Sequence, residues 1–156
     1  MNAYSRDLHF DIILPRLKVM TYKQVLMEFS KQAGKALNVS DKRLFKLLME
    51  KEHQSSSGAG DNIAIPDLQV AGPQSHLTII ASLEHPVDCN AADNEPVDLV
   101  CLVLSPENEG PYHLRRLSRI SRLLKHDALH KKLAEARDEQ AMRALLIDPE
   151  GWLMAA

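Results

Sequence analysis

Apolar positions recur at helical spacing in the first third of the chain. They lie four residues apart, at Val25, Phe29, Ala33 and Leu37. This spacing places them on one face of a helix, which we predict to begin at a capping box formed by Thr21 and Gln24 and to run to about Leu37. Asn38 ends this helix, and Ser40 caps a second helix that runs to Lys51.

Four short segments have the composition of strands instead. Residues 76–83 and 98–104 are almost continuously apolar or β-prone, which is typical of strands buried on both faces of a sheet. Residues 63–65 and 17–20 are predicted to form shorter strands. An apolar anchor, residues 10–14, precedes the first of these strands.

A long helix is predicted over residues 112–125. His113 begins its apolar side, which continues with Leu117, Ile120 and Leu124. Its opposite side carries Arg115, Arg119 and Arg122. We interpret these arginines as a solvated face, with a docking surface as the alternative.

Two further helices are predicted near the C-terminus. Asp127 caps a continuation through Ala136, and Asp138 caps the last helix. Trp152, the single tryptophan, is expected to pack on the domain. Helices before, between and after apolar strands predict an α/β fold with helices on both faces of the sheet.

The length of 156 residues fits one domain. We assign residues 9–147 to this domain, residues 1–8 to a flexible N-terminus and residues 148–156 to a C-terminal tail. The net charge of −2 predicts no nucleic-acid binding, because affinity for phosphate backbones needs a concentrated positive field. Without a signal peptide or a long apolar run, the sequence predicts a cytoplasmic protein with no membrane insertion. Cys89 and Cys101 lack the spacing of metal ligands, and we expect Cys101 to lie in the core.

Residues 55–69, with the sequence SSSGAGDNIAIPDLQ, form a loop rich in small residues. Gly58 and Gly60 allow a tight turn and the close approach of another group, and Ser56 and Ser57 add hydroxyls beside them. Such a loop can cradle a phosphate. Its alternative interpretation is an ordinary loop that leads into a short strand.

Three blocks of the sequence resemble the mannitol/fructose-type IIA domains of the bacterial phosphoenolpyruvate:sugar phosphotransferase system, including the nitrogen-regulatory IIA proteins. The blocks are GAGDNIAIPD, then NEPVDLVCLVLSP at residues 94–106, and the pair His113 and Leu114. The resemblance implies a mixed sheet of about five strands flanked by helices. It also implies a site that receives phosphate from the phosphocarrier HPr.

The resemblance implies a role for each candidate site residue. Asp67 stands at the position of the phosphoacceptor histidine, and His113 matches a second histidine that hydrogen-bonds the phosphoryl group. Lys51 replaces an arginine that helps to hold this group, and an ammonium cannot reproduce a bidentate fork. The phosphate loop is represented by Ser56, Ser57, Gly58 and Gly60. Alternatively, His113 is a satisfied inward-facing histidine and Lys51 a solvated lysine.

The first functional hypothesis is a regulatory, protein-binding module that has lost histidine phosphorelay. Asp67 would then present a permanent negative charge, as a partial mimic of phosphate. The alternative is an active phosphocarrier that takes phosphate from HPr on Asp67 or His113, and a third hypothesis is a structural subunit with an inert site.

The partners implied by the resemblance are an HPr-like carrier or regulated target proteins. The sequence leaves the oligomeric state open and predicts no cofactor and no metal site. Two alternatives remain for the chemistry. Asp61 could share a cation with Asp67, which an acyl phosphate would favour, and His53 could replace the missing acceptor.

Overall fold

The computed structural model describes residues 8–148 and 151–152. Within them, six strands form one mixed sheet: β1 (Ile12–Leu17), β2 (Gly58–Gly60), β3 (Ile63–Ala64), β4 (Asp67–Val70), β5 (Leu77–Val87) and β6 (Val97–Pro106). The strand order is β1-β5-β6-β3-β2, and β4 also pairs with β6. The central strands β5 and β6 are antiparallel, whereas β1 is parallel to β5 and both β3 and β4 are parallel to β6. The predicted α/β class and mixed sheet are confirmed, with six strands rather than about five.

Helices cover both faces of this sheet. In the described chain they are α1 (Tyr22–Leu37), α2 (Asp41–Gln54), α3 (Gly110–Leu124), α4 (Asp127–Glu135) and α5 (Glu139–Leu146). One hydrophobic cluster joins α1 and α2 to the sheet, and a second joins α3, α4 and α5 to its other face. The prediction that helices flank the sheet on both faces is therefore confirmed.

Strand β6 shows why its sequence is apolar without alternation. Its even-numbered residues Val100, Leu102 and Leu104 belong to the α1–α2 cluster. Its odd-numbered residues Leu99, Cys101 and Val103 belong to the cluster on the other face. Because both faces are covered, nearly every position contributes burial, at about 1.5–3 kcal/mol for each large aliphatic side chain.

The first strand lies earlier than predicted. Residues 17–20 were expected to form it, but β1 covers Ile12–Leu17 and includes Pro15. The strand tolerates this proline because β1 lies at the edge of the sheet, where one side of the backbone needs no partner. Arg16 has a φ of 48° in a bulge, and its amide donates to the Ser82 hydroxyl at 2.8 Å.

The strand predicted at residues 63–65 is interrupted and then resumes. After β3, the Pro66 carbonyl accepts a hydrogen bond from the Val103 amide at 3.0 Å, and β4 continues along the same edge of β6. Strand β4 was not predicted. Strand β5 also extends beyond the predicted residues 76–83 to Val87 and includes Pro86.

The predicted helix ends are largely correct. Thr21 and Gln24 form the capping box of α1, and Asn38 ends it in the left-handed conformation. Ser40 caps α2 and Asp138 caps α5. The predicted cap at Asp127 is wrong, because Asp127 is the first residue of α4 and the side chain of His126 caps that helix.

Both termini of the chain are described in part. Leu8 is buried, whereas residues 1–7, assigned to the flexible N-terminus, lie outside the described residues. Trp152 packs on the α3–α5 cluster as expected, and its indole N–H donates to the Leu145 carbonyl at 2.7 Å. Of the predicted tail, residues 149–150 and 153–156 also lie outside the described part.

Candidate functional site

Asp67 lies where the backbone leaves Pro66 and enters β4. Its Oδ2 atom accepts two hydrogen bonds, from Lys51 Nζ at 2.9 Å and from His113 Nε2 at 2.7 Å. Lys51 Nζ also donates to the backbone carbonyl of Asp67 at 3.0 Å. The three residues come from α2, β4 and α3, so the fold brings together the residues that the sequence analysis placed at the site.

His113 lies in the first turn of α3, and its imidazole points into the protein. The side chain is 3% exposed, compared with 21% for Asp67. Its Nδ1 atom lies 2.6 Å from the Ser105 hydroxyl, on the side of the ring opposite Asp67. Both ring nitrogens therefore have partners, as the alternative interpretation of a satisfied inward-facing histidine required.

The hydrogen bonds continue into the core beyond Ser105. Arg116 Nη2 donates to the Ser105 hydroxyl at 2.9 Å and to Glu109 Oε1 at 2.7 Å. Arg116 is only 2% exposed, and its Nε atom has no hydrogen-bond partner within the described residues. An unsatisfied buried donor costs about 1–3 kcal/mol, so packing alone does not explain this arginine.

Residues 8–148 match the family described as the phosphoenolpyruvate-dependent sugar phosphotransferase system, EIIA 2. The chain belongs to this EIIA type 2 family. It is 36% identical over 139 residues to a nitrogen regulatory protein of Bradyrhizobium diazoefficiens, which covers 89% of this chain and 91% of the relative. The resemblance found in the sequence is thereby confirmed at the level of the family.

Solved structures of EIIA proteins have the same fold. The nitrogen regulatory protein IIA-Ntr of Neisseria meningitidis superimposes with a TM-score of 0.80 at 27% identity, over 86% of this chain and 92% of that one. The mannitol IIA enzyme of Escherichia coli, solved in complex with phosphorylated IIB, gives a TM-score of 0.72 at 16% identity. That match covers 94% of this chain and 96% of the IIA enzyme, and at this identity it shows the fold alone.

The electrostatic environment of this EIIA chain favours an ionised Asp67. Burial on its own would raise the pKa of the carboxyl group. The hydrogen bonds from His113 and Lys51, together with the positive charge of Lys51, more than offset burial, so the pKa of Asp67 lies below its ordinary value. Asp67 is therefore a carboxylate at neutral pH, and it can only accept hydrogen bonds.

A small cleft of about 130 Å³ opens beside Asp67. It is lined by Leu48, Lys51, Glu52, Ser55, Ser56, Ser57, Pro66 and Asp67. Two of the four residues assigned to a phosphate loop, Ser56 and Ser57, thus lie beside the carboxylate. Gly58 and Gly60 are not part of the lining.

The two glycines serve the protein's own backbone. A Cβ atom on Gly58 would lie 2.6 Å from the Cβ of Ala91, so this position requires glycine for close packing. Gly60 has a φ of 86°, which also favours glycine. Ser56 donates to the Cys89 carbonyl at 2.8 Å and ties the same loop to the segment before β6.

Glu52 and Tyr22 anchor the loop from the other side, and the sequence analysis did not identify either as a site residue. Both carboxylate oxygens of Glu52 accept from the Ser57 amide at 3.2 Å, and the Tyr22 hydroxyl is hydrogen-bonded to the Ser57 hydroxyl. Burial raises the pKa of both Tyr22 and Glu52. Glu52 follows Lys51 directly in the sequence, and this adjacency could have identified Glu52 as a site residue.

Ser105, Glu109 and Arg116 were also missed. Ser105 occupies the next-to-last position of β6, after a run of apolar residues. Arg116 lies three residues after His113, which places both side chains on the same face of α3. Helical spacing could have identified Arg116, because it lies on the side of the helix that carries His113 and not on the side that carries Arg115, Arg119 and Arg122.

Asp61 is not brought to Asp67. Asp61 and Asn62 have φ values of 55° and 65° and form the two-residue turn between β2 and β3, where such backbone angles favour Asn and Asp. They line a different, open cleft of about 440 Å³ together with Asp98 and His130. The geometry therefore does not support the alternative in which Asp61 and Asp67 share a cation. Within the described residues, no group of three His, Cys, Asp or Glu side chains is arranged to hold a metal ion.

His53 and the arginines of α3 (Arg115, Arg119 and Arg122) do not line the cleft beside Asp67. His53 is exposed and lines a separate cleft of about 400 Å³ that also includes Tyr22 and Cys89. The Arg115 guanidinium lies 5.6 Å from the centre of the Tyr112 ring.

In the described part of the chain, no helix is long and apolar enough to cross a membrane.

Proposed function

We propose that this protein is a regulatory, protein-binding module of the phosphotransferase system, of the nitrogen-regulatory IIA type, and that it does not relay phosphate. The similarity to two nitrogen regulatory proteins, at 36% and 27% identity, supports the regulatory assignment. We infer from the family resemblance that Asp67 stands at the phosphoacceptor position. The loss of relay follows from the chemistry of this residue.

The observation that carries the proposal is that the Asp67 carboxylate already accepts hydrogen bonds from Lys51 and His113. His113 and Lys51, which replaces the arginine that the resemblance implies, stand at the two positions expected to hold the phosphoryl group. Both donate to Asp67 Oδ2. An incoming phosphoryl group would have to break these charge-assisted bonds before it could use the same donors. The Asp67 carboxylate therefore occupies the donors that would otherwise bind phosphate.

The charge at this site is locally balanced. Lys51 Nζ lies 2.9 Å from the carboxylate, although the lysine side chain is about half exposed. A partner would encounter an ion pair rather than the isolated negative charge expected from the sequence. We propose that this ion pair fixes both the shape and the charge of the site. The pair resembles a doubly charged phosphate less closely than an unpaired aspartate would.

The partners we propose are proteins, either regulated targets or an HPr-like carrier that docks without transfer. The Escherichia coli IIA enzyme was solved in complex with phosphorylated IIB, which supports a docking role for this fold. We propose a cytoplasmic location, where the other components of the phosphotransferase system act.

A transfer assay followed by intact mass measurement tests the proposal. The protein is incubated with phosphoenolpyruvate, the first enzyme of the system, HPr and magnesium. HPr itself serves as the internal control, because its own mass must increase by one phosphate. We expect no increase in the mass of this protein, and an increase of one phosphate would overturn the loss of relay.

The alternative is an active carrier, and the ionised, partly exposed Asp67 carboxylate favours it. In that reaction a carboxylate oxygen would form a bond to phosphorus, the bond between phosphorus and the HPr imidazole would break, and that imidazole would keep the electron pair. Alkali treatment before the mass measurement distinguishes the acceptors, because an acyl phosphate on Asp67 is cleaved by alkali whereas a phosphohistidine at His113 survives it.

A further inference from the structure

We infer that Ser105 and Arg116 are positioning residues that hold His113 in one tautomer, with its Nε2–H directed at residue 67. The inference rests on the buried hydrogen-bond chain from Arg116 through Ser105 to His113. It concerns the same site as the proposed function. Its test measures only the imidazole ring, so either proposal can fail without the other.

Three contacts link Arg116 to Asp67 through Ser105 and His113, and chemistry fixes the direction of two of them. An arginine side chain has no acceptor, so Arg116 donates and the Ser105 oxygen accepts. A carboxylate has no hydrogen to donate, so His113 Nε2 donates to Asp67. Only the contact between Ser105 and His113 Nδ1 remains to be assigned.

The hydroxyl hydrogen of Ser105 determines the direction of this last contact, because it needs an acceptor. If the hydroxyl donates to Nδ1, the ring is neutral, and Ser105 and both ring nitrogens of His113 have the partners that they need. If Nδ1 were protonated, it would donate to Ser105, and the serine hydrogen would have no acceptor among the described residues. Ser105 is 1% exposed, so a missing acceptor would be costly. The first arrangement satisfies Ser105 and both ring nitrogens of His113.

Arg116 fixes the orientation of the serine. The two hydrogens of its Nη2 atom serve Ser105 and Glu109. The backbone carbonyl of Glu109 in turn accepts from the His113 amide at 2.8 Å, so the same residue holds both the arginine and the first turn of α3. The chain thus links the backbone position of His113 to the protonation of its ring.

Nitrogen NMR of the histidine ring tests the inference. At pH 7 we expect His113 to carry its proton on Nε2 and not on Nδ1, with the signals assigned by comparison with a His113→Gln variant. Asp67→Ala removes the carboxylate that also selects this tautomer. If Ser105 holds the ring independently, the single Nε2–H tautomer remains in Asp67→Ala.

Removal of the hydroxyl should then release the ring. In Asp67→Ala/Ser105→Ala we expect the Nδ1–H tautomer to appear beside the Nε2–H form, whereas Asp67→Ala/Ser105→Thr should keep one tautomer. Ser30→Ala in the Asp67→Ala background is the matched control, because Ser30 is equally buried but donates to the Leu26 carbonyl within α1. The control should behave like Asp67→Ala alone.

Three results would overturn the inference. They are a proton on Nδ1 of His113 in the unmodified protein, a tautomer mixture in Asp67→Ala alone, and a single tautomer that persists in the folded Asp67→Ala/Ser105→Ala protein. The first measurement needs no substitution, so the inference can be contradicted even if the double variant does not fold.

Discussion

Among the residues that the structure describes, two histidine–aspartate pairs have the same short contact but different surroundings. His113 Nε2 and Asp67 Oδ2 lie 2.7 Å apart, and so do His130 Nε2 and Asp98 Oδ1. The histidine side chain is 3% exposed in the first pair and 16% in the second, and the aspartates are 21% and 31% exposed. The contact between histidine and aspartate therefore does not by itself distinguish a candidate site.

The additional partners distinguish the two pairs. In the first pair Lys51 also donates to the aspartate, and Ser105 contacts the second ring nitrogen. In the second pair, residues 8–148 provide no further side-chain hydrogen bond to either member, and the pair lines an open cleft. A pair that is held from both ends has one geometry, whereas the second pair resembles a surface ion pair.

The largest contrast is expected from removing each histidine. His113→Ala leaves a cavity and removes partners from Ser105 and Asp67, so we expect a loss of about 2–4 kcal/mol in the free energy of unfolding. His130→Ala should cost about 1 kcal/mol or less, because its pair is partly solvated. Chemical denaturation of both variants measures the difference. Equal losses would show that the extra partners of His113 do not matter for stability.

This contrast also explains which features the sequence could predict. Thr21, Ser40 and Asp138 were identified as caps because a cap depends on neighbouring residues, and β6 was identified because both of its faces are buried. Asp67 and His113 were placed together through the family resemblance. They are 46 positions apart, and nothing local indicates their contact.

The missed features depend on contacts that no short pattern encodes. The proline in β1 is tolerated only because that strand lies at an edge, and edge position is a property of the whole sheet. The role of Arg116 depends on Ser105, which reaches it from a different element. Asp61 was close to Asp67 in sequence, but the turn directs it to the cleft of the second pair.

A smaller, pH-dependent effect is expected for Asp67→Asn. The pKa of Asp67 is lowered in the folded protein, so its contribution to stability is present above the unfolded value of about 3.9 and is lost as the pH falls through the folded value. We expect Asp67→Asn to cost about 1 kcal/mol at pH 7 and less below about pH 4. Urea denaturation between pH 7 and pH 3 measures this trend.

Glu52→Gln serves as a control for Asp67→Asn, because we expect its stability to change with pH in the opposite direction. Burial raises the pKa of Glu52, so the unmodified protein loses stability as the pH rises from the unfolded value of about 4.3 through the folded value. Relative to the unmodified protein, Glu52→Gln should therefore gain stability as the pH rises over this range. If both variants showed the same pH trend, the assignment of the two environments would be wrong.

The smallest effect is expected at the turn beside the second pair. Asn62→Gly keeps the positive φ but loses the hydrogen bond from the Asn62 amide to the Pro96 carbonyl at 2.9 Å. We expect a change in stability of about 0.5 kcal/mol or less. NMR signals of His130 should shift and those of His113 should not. A shift at His113 would show that the two pairs are coupled.

We propose that the Asp67 carboxylate, and not a loss of the fold, prevents phosphorylation at this site. Intact mass measurement after incubation with phosphorylated HPr tests it on three proteins: the unmodified chain, Asp67→His/Lys51→Arg, and Asp98→His as a matched control. The double change supplies an imidazole acceptor and a guanidinium fork beside the existing His113. Asp98→His places the same imidazole beside His130.

We predict that only Asp67→His/Lys51→Arg gains the mass of one phosphate. A gain by the unmodified chain, or no gain by the folded double variant, would contradict the claim.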